Sequence, residues 1–321
     1  MKNLLRTTFA IAGVAAITAI ASTSGFSQTR ARGLAISVPE MGRNFSSVQA
    51  AVDAIGGGEG TVLLGPGTYA QCAVQTAGVV HFRSLEPGTA IFDGVDCEGK
   101  AALVMRGRAA SVDGIIFQNI HVEDLNGSGI HLEHGDLAVS NSVFRNSDEG
   151  IITGIDHGAS VEVDRSTFSR LGRNDGGGAH SIYVGNYGSI TVTRSRFERG
   201  TGGHYVKSRA ANAIIRDNSF DDSQGRATNY MIDLPNGSIG QISDNFFVQG
   251  VDKDNATTFI ALAAEHREHS TIGLVISSND ARLAPGIAGT RDVWFIADWS
   301  GARLAVSNNR LSAGLSPFVR R

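Results

Sequence analysis

Apolar and polar residues alternate in short stretches along most of this chain. Residues 189–193, Ser-Ile-Thr-Val-Thr, are typical, and clusters of Gly, Asn or Asp separate one stretch from the next. Alternation with a period of two predicts β-strands, and the polar clusters predict turns. Between Gly60 and Arg321 no stretch has the period of an amphipathic helix. The pattern therefore predicts many short strands without crossover helices.

The stretches also repeat, because five segments share a pattern in which a Ser or Asn precedes a Phe by two positions. The segments are VSNSVF, VDRSTF, VTRSRF, IRDNSF and ISDNFF, and VISSND and AVSNNR are weaker copies. Their Ser and Asn positions are Ser142, Ser166, Ser195, Asn218, Asn245, Asn279 and Asn309, with gaps of 24, 29, 23, 27, 34 and 30 residues. Repeats of this length with two or three strands each predict a solenoid of stacked coils. We expect the Ser and Asn residues to stack at one corner, where they tolerate left-handed backbone and bond to turns, and the Phe residues to form an interior column.

Residues 44–55, NFSSVQAAVDAI, depart from this alternation. Val48, Val52 and Ile55 have helical spacing, Ser46 can cap the start, and the glycines 56–58 can end the helix. A short amphipathic helix over 46–55 would cover the open end of the solenoid core, as terminal units of solenoids do.

This helix, the strand GTVLLGPGTY that follows it and the Asn/Ser ladder resemble the pectate-lyase-like family of right-handed parallel β-helices. The resemblance covers roughly residues 44–315. It implies an all-β fold, a single-stranded right-handed parallel β-helix with a short N-terminal capping helix, over residues 44–321. The family includes lyases, epimerases, hydrolases and binding proteins, so the resemblance indicates the fold better than the reaction.

The N-terminus predicts export. Lys2 and Arg6 precede an apolar run from Phe9 to Ile20, and Ala19-Ile20-Ala21 matches a cleavage site. We interpret residues 1–21 as a signal peptide and residues 22–43 as an extended linker; the alternative is an uncleaved membrane anchor. After cleavage we expect a periplasmic or secreted protein that is not attached to a membrane.

The net charge bears on the protein's partners, and the cysteines bear on its cross-links. The chain has 28 Lys and Arg against 31 Asp and Glu. Removing Lys2 and Arg6 leaves a formal net charge of 26 − 31 = −5, which argues against a nucleic-acid partner.

Cys72 and Cys97 are 25 residues apart, about one coil. Strands of adjacent coils lie about 4.8 Å apart, within reach of a disulfide, and export permits one. The sequence therefore predicts a Cys72–Cys97 disulfide between early coils; the alternative is two buried thiols.

Three strand openings align without a gap: HSIYVGN from His180, HYVKSRA from His204 and YMIDLPN from Tyr230. Side chains alternate between the faces of a strand. If the aligned apolar residues Ile182, Val206 and Ile232 point into the core, the next residues point outward. The outward column is then formed by Tyr183, Lys207 and Asp233.

Residues on either side of this column follow from the same alternation. Arg209 and Tyr205 lie two positions from Lys207, so we expect both on its outward face, and His131 and Thr153 extend the column backwards. His180 and His204 have the opposite parity. We expect them, with Tyr230, at the corner where the strands begin.

The column is either a solvated polar ladder or an acid–base site. Only Lys100, Lys207 and Lys253 remain as lysines after residue 21, and a lysine, unlike an arginine, can exchange its proton near neutral pH. Long loops over 169–180, 221–229 and 250–258 flank the column and are typical of groove walls. Arg173 and Arg226, with Arg170 and Arg199, lie in or near these loops and could hold anionic groups. Glu265, His266 and His269 are further candidates from a later coil.

Export and the resemblance together imply a polysaccharide partner, and these arginines favour an anionic one. A uronic-acid polymer would undergo β-elimination or C5-epimerisation, and both begin with removal of the proton α to the carboxylate. Arg209 fits neutralisation of that carboxylate, Lys207 the base, and Tyr183 the proton donor to the leaving oxygen. Asp233 would orient Lys207, although its negative charge favours the protonated lysine. The substrate-binding candidates are His131, His180, His204, Tyr205, Tyr230, Arg173, Arg226 and Glu265.

Other functions remain open. A glycoside hydrolase would pair Asp233 with a second carboxylate such as Asp156 or Asp175, and a non-catalytic glycan-binding solenoid needs no such pair. No metal site is predicted, because neither Asp252–Asn255 nor Asp221–Asp222 has the full spacing of a calcium loop. We therefore predict no cofactor, with Ca²⁺ left open.

Overall fold

The computed structural model describes residues 35–175 and 178–321. Within them the chain forms one α-helix, Val48–Ile55, one short 3₁₀ helix, Pro39–Met41, and many short strands in three sheets. We call the sheets A, B and C in the order in which each coil passes through them.

The bounds of the strands show the repeat directly. Sheet A contains Arg43–Asn44, Ile36–Val38, Glu59–Leu64, Val79–Ser84, Ala109–Asp113, Asp136–Ser140, Asp156–Asp164, Tyr187–Thr193, Asn212–Arg216, Ile239–Ser243, Val275–Ser277 and Ala305–Ser307. Sheet B contains Gly67–Tyr69, Ala90–Asp93, Ile115–Gln118, Val143–Arg145, Thr167–Ser169, Arg196–Glu198, Ser219–Asp221, Phe246–Gln249, Asp280–Leu283 and Arg310–Leu311. Sheet C contains Ala73–Gln75, Ala101–Met105, Ser128–Leu132, Glu149–Thr153, Ile182–Val184, Val206–Ser208, Ile232–Leu234, Thr258–Leu262, Val293–Asp298 and Leu315–Arg320.

From Glu59 onward every strand pairs in parallel with the strand one coil away. The Ile182–Val184, Val206–Ser208 and Ile232–Leu234 strands, for example, stack in sequence order within sheet C. The result is an all-β right-handed parallel solenoid of about nine turns with one short helix, so the predicted fold is confirmed.

The predicted Ser and Asn ladder lies at the corner between sheets A and B. Each side chain accepts a hydrogen bond from the backbone N–H of the equivalent residue one coil earlier: Ser195 N–H donates to Asn218 Oδ1 at 2.9 Å, and Asn218 N–H to Asn245 Oδ1 at 3.0 Å. From Asn218 onward the amide nitrogen adds a donor, as in Asn218 Nδ2 to the Val192 carbonyl at 2.9 Å. The ladder therefore satisfies backbone groups that the turn leaves unpaired inside the protein.

The left-handed residue of this corner is the one before the ladder position, not the Ser or Asn itself. Positive φ angles occur at Asn141, Arg165, Arg194, Asp217, Asp244, Ser278 and Asn308. The expectation that the Ser and Asn residues of the ladder adopt left-handed backbone was therefore wrong by one position. The ladder residue instead points inward to form its hydrogen bonds, and the exposed preceding residue turns the corner.

Aromatic rings stack through the interior behind this corner. The column begins at Tyr69 and runs through Phe92, Phe117, Phe144, Phe168, Phe197, Phe220 and Phe247, with ring centroids 4.7–5.5 Å apart and nearly parallel planes. The spacing is close to the distance between strands. The expected Phe column is thus confirmed.

The N-terminal end differs from the prediction in two details. The helix begins at Val48, and Ser47, not Ser46, caps it by accepting the Ala50 N–H at 3.1 Å. Residues 36–44 are not a linker, since Ile36–Val38 pairs antiparallel with Glu59–Leu64 and extends sheet A. The folded part therefore starts earlier than residue 44.

The predicted signal peptide, residues 1–21, lies outside the described residues. Over 35–175 and 178–321, no helix is both long enough and apolar enough to cross a membrane.

A disulfide joins Cys72 to Cys97 with Cα atoms 5.5 Å apart, as the one-coil spacing predicted. Both thiols of the folded, unreduced protein should resist alkylation. Reduction should lower the free energy of unfolding by roughly 3 kcal/mol, because it frees a 25-residue loop in the unfolded chain. Mass spectrometry after alkylation and urea unfolding with and without reductant measure both effects. A Cys72→Ser/Cys97→Ser protein is the control and should not respond to reductant; alkylation of both thiols without reduction would contradict the prediction.

The Asn ladder gives a second prediction. Asn218→Ala leaves the Ser195 N–H without a partner in the interior and removes one hydrogen bond to the Val192 carbonyl, which should cost about 1–3 kcal/mol of unfolding free energy. Arg216→Ala is the control: this exposed side chain, two residues earlier, should change stability by less than about 0.5 kcal/mol. Urea denaturation compares the two. Equal effects would show that the ladder hydrogen bonds do not stabilise the corner.

Candidate functional site

The candidate site lies on the outer face of sheet C. Parallel pairing places Tyr183 opposite Lys207, and Lys207 opposite Asp233. The preceding residues form a fully buried apolar column of Ile182, Val206 and Ile232. The gapless alignment of the three strands therefore predicted the register correctly.

Lys207 is held between two carboxylates. Its Nζ donates to Glu265 Oε1 at 2.6 Å and lies 3.3 Å from Asp233 Oδ2. The side chain is only 12 % exposed. An amine this shielded from water interacts with its charged neighbours more strongly than a surface lysine does.

Arg209 completes the same cluster from the end of the strand. Its Nε donates to the Tyr183 hydroxyl at 3.1 Å, its Nη1 to Asn236 Oδ1 at 2.6 Å, and its Nη2 to Glu265 Oε2. One carboxylate, that of Glu265, therefore bridges the lysine and the arginine. Burial opposes ionisation of Glu265, but the hydrogen bonds from Lys207 and Arg209 outweigh it and lower the pKa of this carboxyl.

Asp233 points away from the core, yet it is covered. Its side chain is 4 % exposed, and burial raises its pKa to about 6, against the opposing charge of Lys207. His204 contributes to the cover, with Nε2 3.5 Å from Asp233 Oδ2. The other oxygen, Oδ1, has no hydrogen-bond partner among the described residues.

The two histidines pack against each other where the strands begin, as expected. The rings of His180 and His204 are 4.8 Å apart, those of His204 and Tyr230 are 5.5 Å apart, and the His204 backbone N–H donates to His180 Nδ1 at 3.1 Å. Burial lowers the pKa of His180 to about 3 and lowers that of His204 as well, so both are neutral at physiological pH. A role in binding substrate stays a prediction for both and for Tyr230.

Two outward placements were wrong. Tyr205 is 1 % exposed, and its hydroxyl donates to Asp222 Oδ1 at 2.7 Å inside the core. The strand begins only at Val206, so the alternation does not extend back to Tyr205. Thr153 is also buried, and Ile152 occupies the column between His131 and Tyr183. His131 does lie in the column, two strands before Tyr183, and burial lowers its pKa.

Arg173 and Arg226, the two loop arginines predicted to bind substrate, lie away from the Lys207 cluster. Arg173 is neutralised by Asp148 at 3.1 Å and Asp175 at 2.6 Å. Arg226 lines a different cavity from the one at Tyr183. Neither arginine contacts the cluster around Lys207, so their roles in binding stay predictions.

A cavity of about 340 Å³ opens beside the cluster and includes Tyr183 and Arg209 in its lining. Asn186, Asn236 and Glu268 line it too, and Glu268 Oε2 accepts hydrogen bonds from both asparagines, at 3.2 and 2.7 Å. Sequence reasoning missed these three residues. Asn186 and Asn236 share the last position of the aligned strand openings, which was a usable signal, whereas nothing in the sequence pointed to Glu268.

Within residues 35–175 and 178–321, no group of three or more His, Cys, Asp or Glu residues is arranged to hold a metal ion. A need for Ca²⁺ stays untested.

The buried carboxyl predicts a pH dependence. An aspartate in the unfolded chain has a pKa of about 3.9, whereas that of folded Asp233 is about 6. Between these values the unfolded chain binds fewer protons, so this group makes folding less favourable as pH rises from 4 to 6, and its penalty is constant above that. Asp233→Asn removes the titration. Its stability relative to wild type should therefore rise by roughly 2–3 kcal/mol between pH 4 and pH 7, measured by urea unfolding; parallel pH profiles would contradict this.

Comparisons with known proteins agree with the fold. Residues 101–256 match a family model described as a right handed beta helix region. None of the curated proteins matches the chain. Among solved structures, the chain is similar to the PL6 family alginate lyase AlyGC, with 14 % identity and a TM-score of 0.52 over 78 % of this chain and 36 % of that one. It is equally similar to an alginate lyase from Paenibacillus sp. str. FPU-7, with 14 % identity and a TM-score of 0.52 over 84 % and 94 % of the two chains.

These likenesses concern the backbone, because identity is low and the chain spans only about a third of AlyGC. Together with the family model they bear out the resemblance that the capping helix and the ladder suggested. This chain has a right-handed parallel β-helix fold.

Proposed function

We propose that this protein is an exported polysaccharide lyase that cleaves a uronic-acid-containing chain by β-elimination. The observation that carries the proposal is the convergence of Lys207 and Arg209 on a single carboxylate, with the Tyr183 hydroxyl bonded to the same arginine. The similarity to two alginate lyases supports the scaffold, and the predicted leader over residues 1–21 supports export.

The contacts of Glu265 support an acidic ligand for the cluster. Its carboxylate bridges the Lys207 amine and the Arg209 guanidinium, which is the arrangement that a substrate carboxylate needs. Glu265 is also the more exposed partner, at 38 %. A uronate would displace it and take over the contact with Arg209.

The exchange of carboxylates would also free the base. In the free protein the Lys207 amine donates a hydrogen bond to Glu265 Oε1 at 2.6 Å. When a uronate displaces Glu265 and its carboxylate pairs with Arg209, this hydrogen bond is lost and Lys207 Nζ becomes available to the sugar.

The elimination step uses three side chains. Lys207 Nζ takes the proton α to the carboxylate, and the electron pair of the broken C–H bond forms the new carbon–carbon double bond. The bond from the β-carbon to the glycosidic oxygen breaks, and the Tyr183 hydroxyl donates a proton to that oxygen. Arg209 stabilises the charge that develops on the carboxylate. The products are an unsaturated uronate and a new chain end.

A hydrolytic mechanism has less support. Asp233 is buried, while Asp156 accepts the Gly135 and Gly158 N–H groups and Asp175 pairs with Arg173. Neither Asp156 nor Asp175 is therefore free to act with Asp233 as the pair of carboxylates that must flank a glycosidic bond.

The proposal predicts the effects of substitution at the cluster. Lys207→Ala and Arg209→Ala should each lower kcat/KM by about 100-fold or more, as expected for a lost base or charge stabiliser. Lys207→Arg keeps the charge but cannot release a proton, so it should be nearly inactive as well. Activity is measured on a panel of acidic and neutral polysaccharides by absorbance of the unsaturated product, with reducing ends assayed in parallel.

Val206→Ala is the matched control on the inward face. It should cost roughly 1–3 kcal/mol of unfolding free energy and leave the activity of the folded protein intact. Reducing ends without unsaturation would indicate a hydrolase, and solvent-proton exchange without cleavage an epimerase. Binding without turnover would indicate a glycan-binding solenoid, and full activity of both Lys207 variants would refute the assigned base.

A further inference from the structure

A second cavity, of about 520 Å³, lies at the corner between sheets B and C. Three arginines from three successive coils line it: Arg170, Arg199 and Arg226. These coils are the ones that carry Tyr183, Lys207 and Asp233 on sheet C. We call this cavity the arginine cleft.

The three guanidinium groups lack acidic partners. None of them forms an ion pair or a side-chain hydrogen bond with any residue in 35–175 or 178–321, whereas the neighbouring Arg173 binds Asp148 and Asp175. One acid, Asp252, lies in the lining, and its Oδ1 accepts the Ala227 N–H at 3.0 Å. The cleft therefore presents three positive charges and one negative charge.

The backbone at two of these arginines is less suited to arginine than to asparagine. Arg170 and Arg199 have φ angles of 54° and 52°, and the residues at the same corner of the two preceding coils are Asn119 and Asn146, with φ of 58° and 52°. Asparagine adopts this left-handed region more readily than arginine does. Folding alone would favour Asn at all four positions.

The opposite corner provides a direct contrast. Arg165 and Arg194 are also left-handed, but both bind Asp164, at 3.1 and 2.7 Å. An arginine at that corner has a partner within the protein. The arginines of the cleft do not, so their charge is available to a ligand.

The far wall of the cleft is held rigidly. Asp222 and Lys253 are an ion pair at 3.0 Å with fully buried side chains, and Asp222 also accepts the Thr228 hydroxyl at 2.8 Å. Gly225, next to Arg226, has no room for a Cβ, which would lie 1.9 Å from Asp222 Oδ1. The loop that carries Arg226 is therefore fixed before any ligand arrives.

We infer that the arginine cleft is a second binding site for the carboxylates of the acidic polysaccharide, remote from the site of cleavage. The inference rests on the proposed function for the identity of the ligand. Successive coils are about 4.8 Å apart, so the cleft offers a ladder of planar forks, each suited to one carboxylate. It would anchor a chain whose other residues cross sheet C at Lys207.

Binding is tested in a Lys207→Ala background, so that the ligand is not consumed. Alginate and polygalacturonate oligosaccharides are titrated calorimetrically at low and high salt, with a neutral oligosaccharide and sodium sulfate as comparisons. Arg170→Asn/Arg199→Asn removes two charges but suits the left-handed backbone. Arg165→Asn/Arg194→Asn makes the same change at the opposite corner and is the matched control.

The cleft variant should bind an acidic oligosaccharide at least about tenfold more weakly, the scale of one lost charged hydrogen bond, with a smaller dependence on salt; the control should bind like its parent. Equal binding by the two double variants would overturn the inference, as would equal losses for sulfate and oligosaccharide or no binding of acidic oligosaccharides at all. The proposed function fails separately, if the wild type binds these chains through the cleft but does not cleave them.

Discussion

Parallel hydrogen bonding between successive coils is the constraint on which the site depends. Each coil is locked in register with the next along three sheets, so residues at equivalent positions of adjacent coils must lie about one strand spacing apart. Lys207 is consequently placed beside Tyr183 and Asp233, although these residues are distant in sequence. The same register stacks the Asn ladder and the Phe column, which stabilise the corner and the core behind the site.

The rigid face supplies only part of the chemistry. Tyr183, Lys207 and Asp233 come from stacked strands, but the carboxylate that joins Lys207 to Arg209 comes from a loop in a later coil. The Glu265 and His266 backbone N–H groups both bond to the Pro235 carbonyl, which ties this loop to the turn after the Asp233 strand. The site is therefore a fixed cationic pair with a covering carboxylate attached to a neighbouring turn. Such an arrangement can exchange one anion for another without movement of the sheet.

The sequence predicted what periodicity controls. The regular spacing of the Ser and Asn residues from Ser142 to Asn309 predicted the solenoid. The alignment of the strand openings at His180, His204 and Tyr230 predicted the register of the three site strands. It failed where a strand ends. Tyr205 lies just before its strand and turns inward. In the strand before Tyr183, the residue that pairs with Tyr183 is Ile152 and not Thr153, so the expected position was wrong by one residue. The meeting of Glu265 with Lys207 could not be predicted, because the path of a long loop depends on tertiary contacts and not on a repeat.

Asp233 shows why this face is more than a polar ladder. A solvated ladder would keep its carboxylates in water, where pairing with lysine contributes little. Asp233 is instead covered by neighbouring side chains, with one oxygen unpartnered among the described residues and a pKa raised by burial. Burial of an incompletely paired carboxyl costs stability, and an apolar residue at this position would avoid that cost. Buried groups that lower stability in this way tend to lie where a protein needs their charge or their proton. In this chain Asp233 lies beside Lys207, which shares the Glu265 carboxylate with Arg209, and Arg209 lines a cavity.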